Sequence, residues 1–519
     1  MSARRESREE GYDVVVIGGG MGGLAAASVM AKAGKKVLVI ERHDRPGGLA
    51  HGFQRGKYKF DSSVHVSSGC QPLGFGEGAM IHDLLTLLGV RERCNFLPVD
   101  PFYTVIFPGF RLDAPTGLEQ FIQAHLRHFP KEEKGLRHLL RAHTKINRET
   151  HRMPADISSY DSLRLPEEWP NHYKYRNSTL GQVMDEHLQD PRLKAVFSAL
   201  WAYQGLPPSK LSFVKWSAML LSFIHTGVYY CQGTFQNLAN AVVEGLKKHG
   251  GELLLLTRVR RIIIKNGKVA GVVLENGQKI AAPLVISNAD ARQTFEELVG
   301  AERLPTAFVA RLRKLKPSLS GVLVYMATDM DLTQLGAQHE MLAFSSWDHD
   351  EIYASMLEGM PAGISVSIPS LVDPSVAPAG EHVVSALTLI PYGIASSWRR
   401  EKGRFADLVV DRVNTVLPGF RDHIRFIETA SPRTVERYTL NHEGAIYGWE
   451  QAPAQVGANR LSRATPVPGL YLSGHWTQPG GGIISVVVSG VQTAQLILGY
   501  PDVPALLKGL GVPLPAPPA

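Results

Sequence analysis

The chain has 519 residues, 44% of them hydrophobic and 20% charged, a balance that builds a globular protein with ample core and two to three domains, one of which can be discontinuous. Its net charge is +7, but no nucleic-acid-binding module accompanies the basic residues, so nucleic acid is excluded as a partner. Three cysteines, Cys70, Cys94 and Cys231, form no CxxC pair, which excludes a disulfide framework and points to a reducing, cytoplasmic setting. The N-terminal MSARRESREEGY lacks the apolar stretch of a secretory signal. No run reaches about 18 consecutive apolar residues, so no transmembrane helix is expected.

The first predicted elements carry most of the information. Val14 to Ile17 is an apolar run that suits a buried parallel strand. It leads into Gly18-x-Gly20-x-Gly22-Gly23, an alanine-rich helix, a second apolar run from Val37 to Ile40, and Glu41. This is a complete βαβ dinucleotide fingerprint. Gly18 permits the tight turn, Gly20 lets the backbone approach a pyrophosphate, and Gly23 lets the helix pack on the strand. The helix N-terminus offers N–H groups and positive potential to phosphates. Glu41, 23 residues after Gly18, is placed to accept from ribose hydroxyls and would repel a 2′-phosphate. Gly22 and Arg42 join this binding set.

Arg45-Pro46-Gly47-Gly48 follows directly, then Phe53, Arg55, Phe60-Asp61 and His65. A short helix is expected over Ala79 to Leu88, and residues 111–228 are expected to be largely helical. Within them Leu211 to Tyr230 is the most apolar helical stretch. It is either ordinary core, or the lining of a lipid tunnel or a membrane contact, with Lys215 and His225 at its ends. A helix from Asn237 to His249 precedes a meander: Glu252 to Leu256, Arg258 to Lys265, and Val269 to Leu274. Asn266-Gly267 is a type I′ hairpin signal and Asn276-Gly277 marks a second hairpin. Leu284 to Ile286 is apolar and ends at Ser287-Asn288-Ala289-Asp290. Residues 300–455 alternate strands and helices that suit a sheet over a substrate. Leu470 to Leu472 is the last buried strand, leading to Gly474, then Pro479-Gly480-Gly481-Gly482 and a small-residue helix beginning at Ile483. A proline-rich tail within 501–519 is expected to be disordered.

These segments together resemble the FAD-dependent family of phytoene desaturases, carotenoid isomerases and retinol saturases. The paired Gly47-Gly48 with Arg45, the Pro-Gly-Leu-Tyr-Leu-Ser-Gly phrase ending at Gly474, and the Pro-Gly-Gly-Gly segment carry the likeness. Gly205-Leu-Pro-Pro-Ser209, Phe129-Pro130-Lys131-Glu132-Glu133, Asp373-Pro374-Ser375 and Thr434 to Gly448 extend it over most of the chain. The family's Phe-Asp-x-Gly becomes Phe60-Asp61-Ser62-Ser63 here, and His475 stands where many flavoproteins carry an acid. The resemblance implies an α/β fold: a discontinuous Rossmann-type FAD-binding domain, with a mixed sheet and a helical region forming the substrate domain. The implied organisation is FAD-binding parts at 1–110, 229–299 and 456–500, a helical substrate- or membrane-facing region at 111–228, a substrate domain at 300–455 and a tail at 501–519. It also implies FAD on Gly18, Gly20, Gly22, Gly23, Glu41, Arg42, Arg45, Gly47, Gly48, Gly474, Gly481, Gly482 and Ile483, with the strand around Val259 passing the adenine.

In that family the flavin moves hydride to or from an unactivated hydrocarbon, and the protein supplies orientation and a dry tunnel. Neither a Ser-His-Asp triad nor a metal site is expected, and no metal-ligand spacing occurs. His65, His475 and Glu443 are the candidate catalytic groups, each able to place a proton at a substrate double bond. His475 and Trp476 should lie beside the flavin ring. The expected substrate is a long apolar polyene or isoprenoid lipid, with saturation, desaturation or isomerisation of a C–C double bond as the reaction. The alternatives are an FAD amine oxidase on a hydrophobic amine, and a non-catalytic prenyl-lipid binder of the Rab GDP-dissociation-inhibitor fold. Basic clusters at Arg258, Arg260, Arg261 and Lys265, at Arg311, Arg313, Lys314 and Lys316, and at Arg399, Arg400, Lys402 and Arg404 fit peripheral attachment to an anionic membrane. With one dinucleotide fingerprint only, the electron partner is a quinone, oxygen or an NADPH-linked reductase.

Overall fold

A computed structural model describes residues 11–72, 79–153 and 164–512. Val14–Ile17 forms the centre of a five-stranded parallel sheet whose spatial order is Leu470–Leu472, Leu284–Ser287, Val14–Ile17, Val37–Ile40 and Glu252–Leu254. All four residues of each of the two fingerprint strands are buried, as parallel strands covered on both faces must be. The helix Met21–Lys32 buries nearly its whole surface. It packs along the C-terminal helix Ile483–Leu498 at very close range: a Cβ on Gly490 would stand 2.3 Å from the Gly22 carbonyl oxygen. Three distant stretches of sequence thus form one nucleotide-binding layer.

A three-stranded antiparallel meander, Val259–Lys265, Lys268–Leu274 and Lys279–Ala281, flanks this layer. Asn266 (φ +50°) and Gly267 (φ +73°) both take the left-handed conformation of a type I′ turn. At the second hairpin only Gly277 does, at φ +87°.

The substrate layer is a seven-stranded mixed sheet. Its order is Ile424–Ala430, Ser320–Thr328, His382–Ile390, Gly363–Ser367, Glu340–Phe344, Tyr103–Phe107 and Phe110–Ala114. Most pairs are antiparallel, with Tyr325 opposite Ser385; Tyr103–Phe107 joins Glu340–Phe344 in parallel. The expected boundary at residue 110 therefore cuts through a hairpin, and that hairpin belongs to the substrate sheet rather than to the FAD-binding part. Its partner strand lies over 230 residues away, a pairing that no local pattern reveals. Part of the expected tail is ordered: Asp502 caps a helix over Val503–Gly509 by accepting from the Ala505 N–H at 2.7 Å. Residues 513–519 lie outside the described residues.

The apolar stretch Leu211 to Tyr230 contains the helix Phe213–Thr226, capped by Ser212. Phe213, Trp216, Leu220 and Ile224 are buried and pack into the main core. The other side lines a large interior cleft with Val214, Ala218 and Met219. The helix presents no apolar face to the outside, because His225 is its exposed residue. The expectation that it contacts a membrane is corrected: it is core on one side and cleft wall on the other. Among the described residues no single helix is long and apolar enough to cross a membrane.

Candidate active site: a cofactor cradle continuous with an apolar cleft

One cleft of about 3200 Å³ runs from the glycine loop after the first strand to the helix Phe213–Thr226. A typical ligand cavity is roughly 300–1,000 Å³, so this one has room for a large cofactor and a second long molecule.

Its floor is built from glycines. Gly18 takes φ +95°. A Cβ on Gly23 would lie 2.2 Å from the Gly18 carbonyl oxygen, and one on Gly22 would lie 2.8 Å from the Gly474 Cα. These residues let the fingerprint helix, the first strand and the C-terminal segment converge. Gly48 packs on Gly20 with the same closeness, its virtual Cβ 3.0 Å from the Gly20 Cα. Asn288 sits among them, with its side-chain amide 2.7 Å from a virtual Cβ on Gly20 and 2.3 Å from one on Gly474. Sequence reading placed Asn288 only at the end of a strand and missed this role. Its signal was a short polar residue directly after a buried parallel strand.

Two helix N-termini open onto the cleft. The helix Met21–Lys32 begins after Gly20 and the helix Ile483–Leu498 after Gly482; neither has a side-chain cap or an acidic residue in its first turn. Their free N–H groups and positive dipole ends fit an anionic pyrophosphate at one and electron-rich ring oxygens at the other. Glu41 is 9% exposed. Its Oε2 accepts from the Gly19 N–H and its Oε1 from the His43 N–H, both at 2.7 Å. A carboxylate has about four acceptor sites, so two remain for ribose hydroxyls. Arg45 is held by Asp44 and by the Gly52 carbonyl at 3.0 Å. Arg42 donates to the Arg437 carbonyl. Arg42, Arg45, Gly47, Val259, Gly474, Gly481, Gly482 and Ile483 all line the cleft; Gly23 lies behind it as a packing residue. The donor set and the two uncapped helix ends fit FAD.

The far part of the cleft is apolar, with Val64, Val66, Leu323, Leu387, Ile446 and Met219 in its wall. His65 and Tyr203 are set into this wall and meet at one carboxylate. His65 Nε2 lies 3.2 Å from Oε2 of Glu340, and the Tyr203 hydroxyl donates to the same oxygen at 2.5 Å. Glu340, the first residue of a central strand, is fully buried. Its Oε1 lies 3.1 Å from Nδ1 of His339 but without hydrogen-bond alignment. Burial opposes charge on His65, yet the Glu340 carboxylate outweighs it and raises the imidazole above its ordinary value. Burial likewise pushes Glu340 up, but His65 and His339 hold it well below the usual carboxylate range. Burial, with the Glu340 charge, pushes the Tyr203 hydroxyl far up. Nearby Asp61, pushed up to about 7 by burial, accepts from the Phe235 N–H at 2.7 Å and the Tyr230 hydroxyl at 2.8 Å.

The other candidates separate. His475 lines the cleft, and burial together with Arg460 pushes it down to about 3, so it is a neutral imidazole. Trp476 does not line the cleft; it is fully buried against Trp449 at 4.6 Å and donates to Asn441 Oδ1 at 3.2 Å. Its expected place beside the flavin ring is corrected: in the turn after Gly474 the indole packs inward on Trp449 and is tied to Asn441. Glu443 is also corrected. Its backbone takes φ +53° in a tight surface turn, its side chain is 55% exposed beside His442, and it does not line the cleft. A carboxylate so hydrated keeps its water rather than turn inward.

Residues 21–498 match the family of flavin-containing amine oxidoreductases. The chain is 28% identical to prolycopene isomerase 1 of an Oncidium hybrid cultivar, over 95% of this chain and 85% of that protein. It is 27% identical to all-trans-retinol 13,14-reductase of Danio rerio, over 90% and 82%, and 28% identical to a neurosporene-forming phytoene desaturase of Rhodobacter capsulatus, over 94% of both. An oxidoreductase from Methanosarcina mazei has the same fold, with a TM-score of 0.65, 18% identity, and coverage of 94% of this chain and all of that one. The chain belongs to the flavin-containing amine oxidoreductase family, in its phytoene desaturase, carotenoid isomerase and retinol saturase branch, and is an FAD-dependent oxidoreductase.

Proposed function

We propose that the protein acts on a C–C double or single bond of a long apolar polyene or isoprenoid lipid, by saturation, desaturation or flavin-assisted isomerisation. The carrying observation is the single cleft that joins the glycine cradle to a long apolar wall. Bound FAD supplies two-electron transfer to or from carbon. Gly18, Gly20, Gly47 and Gly48 give the cofactor its backbone bed, Glu41 accepts from its ribose, and Arg42 and Arg45 sit at its charged edge. Val64, Leu323, Leu387 and Ile446 exclude water and hold the chain extended. His65, anchored through Nε2 on Glu340 and lining the cleft, is the group assigned to supply a proton at the bond being altered, with Tyr203 fixed on the same carboxylate oxygen. His475 gives the C-terminal edge of the site an uncharged polar face. An amine substrate is less suited, because the Glu340 carboxylate at this wall is already engaged by His65 and Tyr203.

The test is anaerobic incubation of the holoprotein with a panel of polyenes of different length, once with oxidised and once with reduced flavin, followed by product analysis. A shifted, added or removed double bond is the expected result. If every polyene is recovered unchanged in both states while a hydrophobic amine is oxidised, the proposal fails.

We further propose that the substrate is drawn from a membrane surface to which the protein attaches peripherally. Arg399 and Lys402, from one of the basic clusters, line the cleft and would set its opening against anionic headgroups. Flotation with anionic liposomes should be clear at low salt and weaken as salt rises. Protein left at the bottom of the gradient at low salt would remove this reading.

A further inference from the structure

Lys215 is a buried lysine with no acidic partner among the described residues. It is 9% exposed and points from the helix Phe213–Thr226 across the cleft. Its ammonium donates to the Gly481 carbonyl at 3.1 Å and to Ser485 Oγ at 3.0 Å. Both acceptors lie at the N-terminus of the helix Ile483–Leu498, which has no acidic residue in its first turn. The ionisable group acting on Lys215 is Arg460, itself 1% exposed. That guanidinium donates to the carbonyls of His475 at 2.6 Å, Thr477 at 2.9 Å and Gln455 at 3.1 Å, and to no carboxylate. Among the described residues, an ammonium, a guanidinium and a helix N-terminus therefore converge with no counter-charge.

Buried charge is normally paired. Here the neutral form is the other way out, and burial with Arg460 pushes Lys215 down to about 7. The remaining ionisable groups on elements around it do not supply the missing charge. On the helix Glu133–Arg152, Arg148 is a further cation, His143 is pushed down by burial to about 3, and the Glu149 carboxylate is taken up by the backbone N–H groups of Asn171 and His172. His172 on the helix Pro170–Tyr175 is lowered by burial, and His475 is neutral. Burial raises the Tyr447 hydroxyl, and His225 on the same helix as Lys215 is exposed. A flavin ring gains negative charge when reduced, and a positive site without an anion is suited to that change.

We propose that Lys215 takes up a proton when the bound FAD is reduced, coupling the arrival of electrons to the arrival of a proton at this edge of the cleft. This rests on the reading that the reducible ring lies against Gly481 to Ser485. Two electrons and one proton enter the flavin from the electron donor, and a second proton from solvent converts the Lys215 amine to its ammonium. Reoxidation returns both protons.

The test uses the holoprotein, Lys215→Arg and Lys215→Met, with midpoint potentials followed spectroelectrochemically from about pH 6 to pH 9, around the ordinary range of a depressed lysine. Wild type should take up two protons per two electrons on the alkaline side of neutrality. Lys215→Arg, which keeps the charge but cannot release the proton, should take up one fewer and hold a higher potential than Lys215→Met in alkali. If wild type takes up one proton throughout, the proposal is overturned without any variant. If the potential moves in Lys215→Arg but the proton count stays at two, proton uptake by Lys215 is overturned while the ring's position stands. If neither potential nor count responds to either substitution, the ring lies elsewhere and the proposal falls with that reading.

Discussion

Gly20→Val should purify as folded protein without flavin colour. Gly20 has φ −69° and ψ 164°, a conformation that valine adopts readily, so the backbone does not oppose the change. A Cβ there stands 2.7 Å from the side-chain amide of Asn288 and 3.9 Å from the Gly48 Cα. The amide is a movable tip, and the local overpacking should cost about 1–3 kcal/mol, which a chain of this size survives. The two methyl groups must then occupy the space between the helix N-terminus and Gly48, where the pyrophosphate has to approach. Gly23→Val is the contrasting case: its Cβ would meet a backbone oxygen at 2.2 Å, and the fold itself should fail. Circular dichroism and the flavin absorbance of the purified proteins separate the two. A Gly20→Val protein with a full complement of FAD would show that the cofactor does not cross this glycine.

The legible part of this molecule is the part whose contacts are local. Val14 to Glu41 encodes strand, turn, helix, strand and acid within one βαβ unit, and the structure places them so, with Gly23 answering the close approach of Gly18 inside that unit. The C-terminal phrase around Gly474 was equally readable, through its resemblance and its small residues. Pairings between distant segments were not. Nothing near Tyr103 announces Glu340–Phe344 as its parallel neighbour, and nothing in His339-Glu340 marks that carboxylate as the partner of His65 and Tyr203. Lys215 sits in an apolar helix where a lysine commonly reaches for solvent; only the tertiary packing shows that it reaches the start of another helix instead. Glu443 misled for the opposite reason. It lies close in sequence to the cleft-lining Asn441 and Ile446, but a left-handed turn sends its side chain out into water.

Glu340 should control turnover through the proton on His65. In Glu340→Gln the carboxylate charge is gone while the burial of His65 remains. The imidazole should then fall from above its ordinary 6.5 to below it and stand empty of its extra proton at neutral pH. General acid catalysis contributes about 10²–10⁴-fold, so turnover at neutral pH should drop by roughly that factor with FAD content unchanged. Acidification should recover part of it by reloading His65. His65→Gln should show the same loss with no acid recovery, since no titrating group is left. Stability follows with definite signs. His65 is raised in the folded state, so its contribution is full below 6.5 and is lost as pH rises through the raised value. Glu340 is depressed, so its contribution is full above 4.5 and is lost as pH falls through the lowered value. The pair therefore stabilises most between these two pH values, and Glu340→Ala, which strands His65 and the Tyr203 hydroxyl, should cost about 3–5 kcal/mol there. Denaturant unfolding across pH reads the stability and steady-state turnover reads the chemistry. A Glu340→Gln enzyme whose pH–rate profile coincides with that of wild type, or a His65→Gln enzyme with full turnover, would show that the buried carboxylate is structural and that the proton comes from elsewhere.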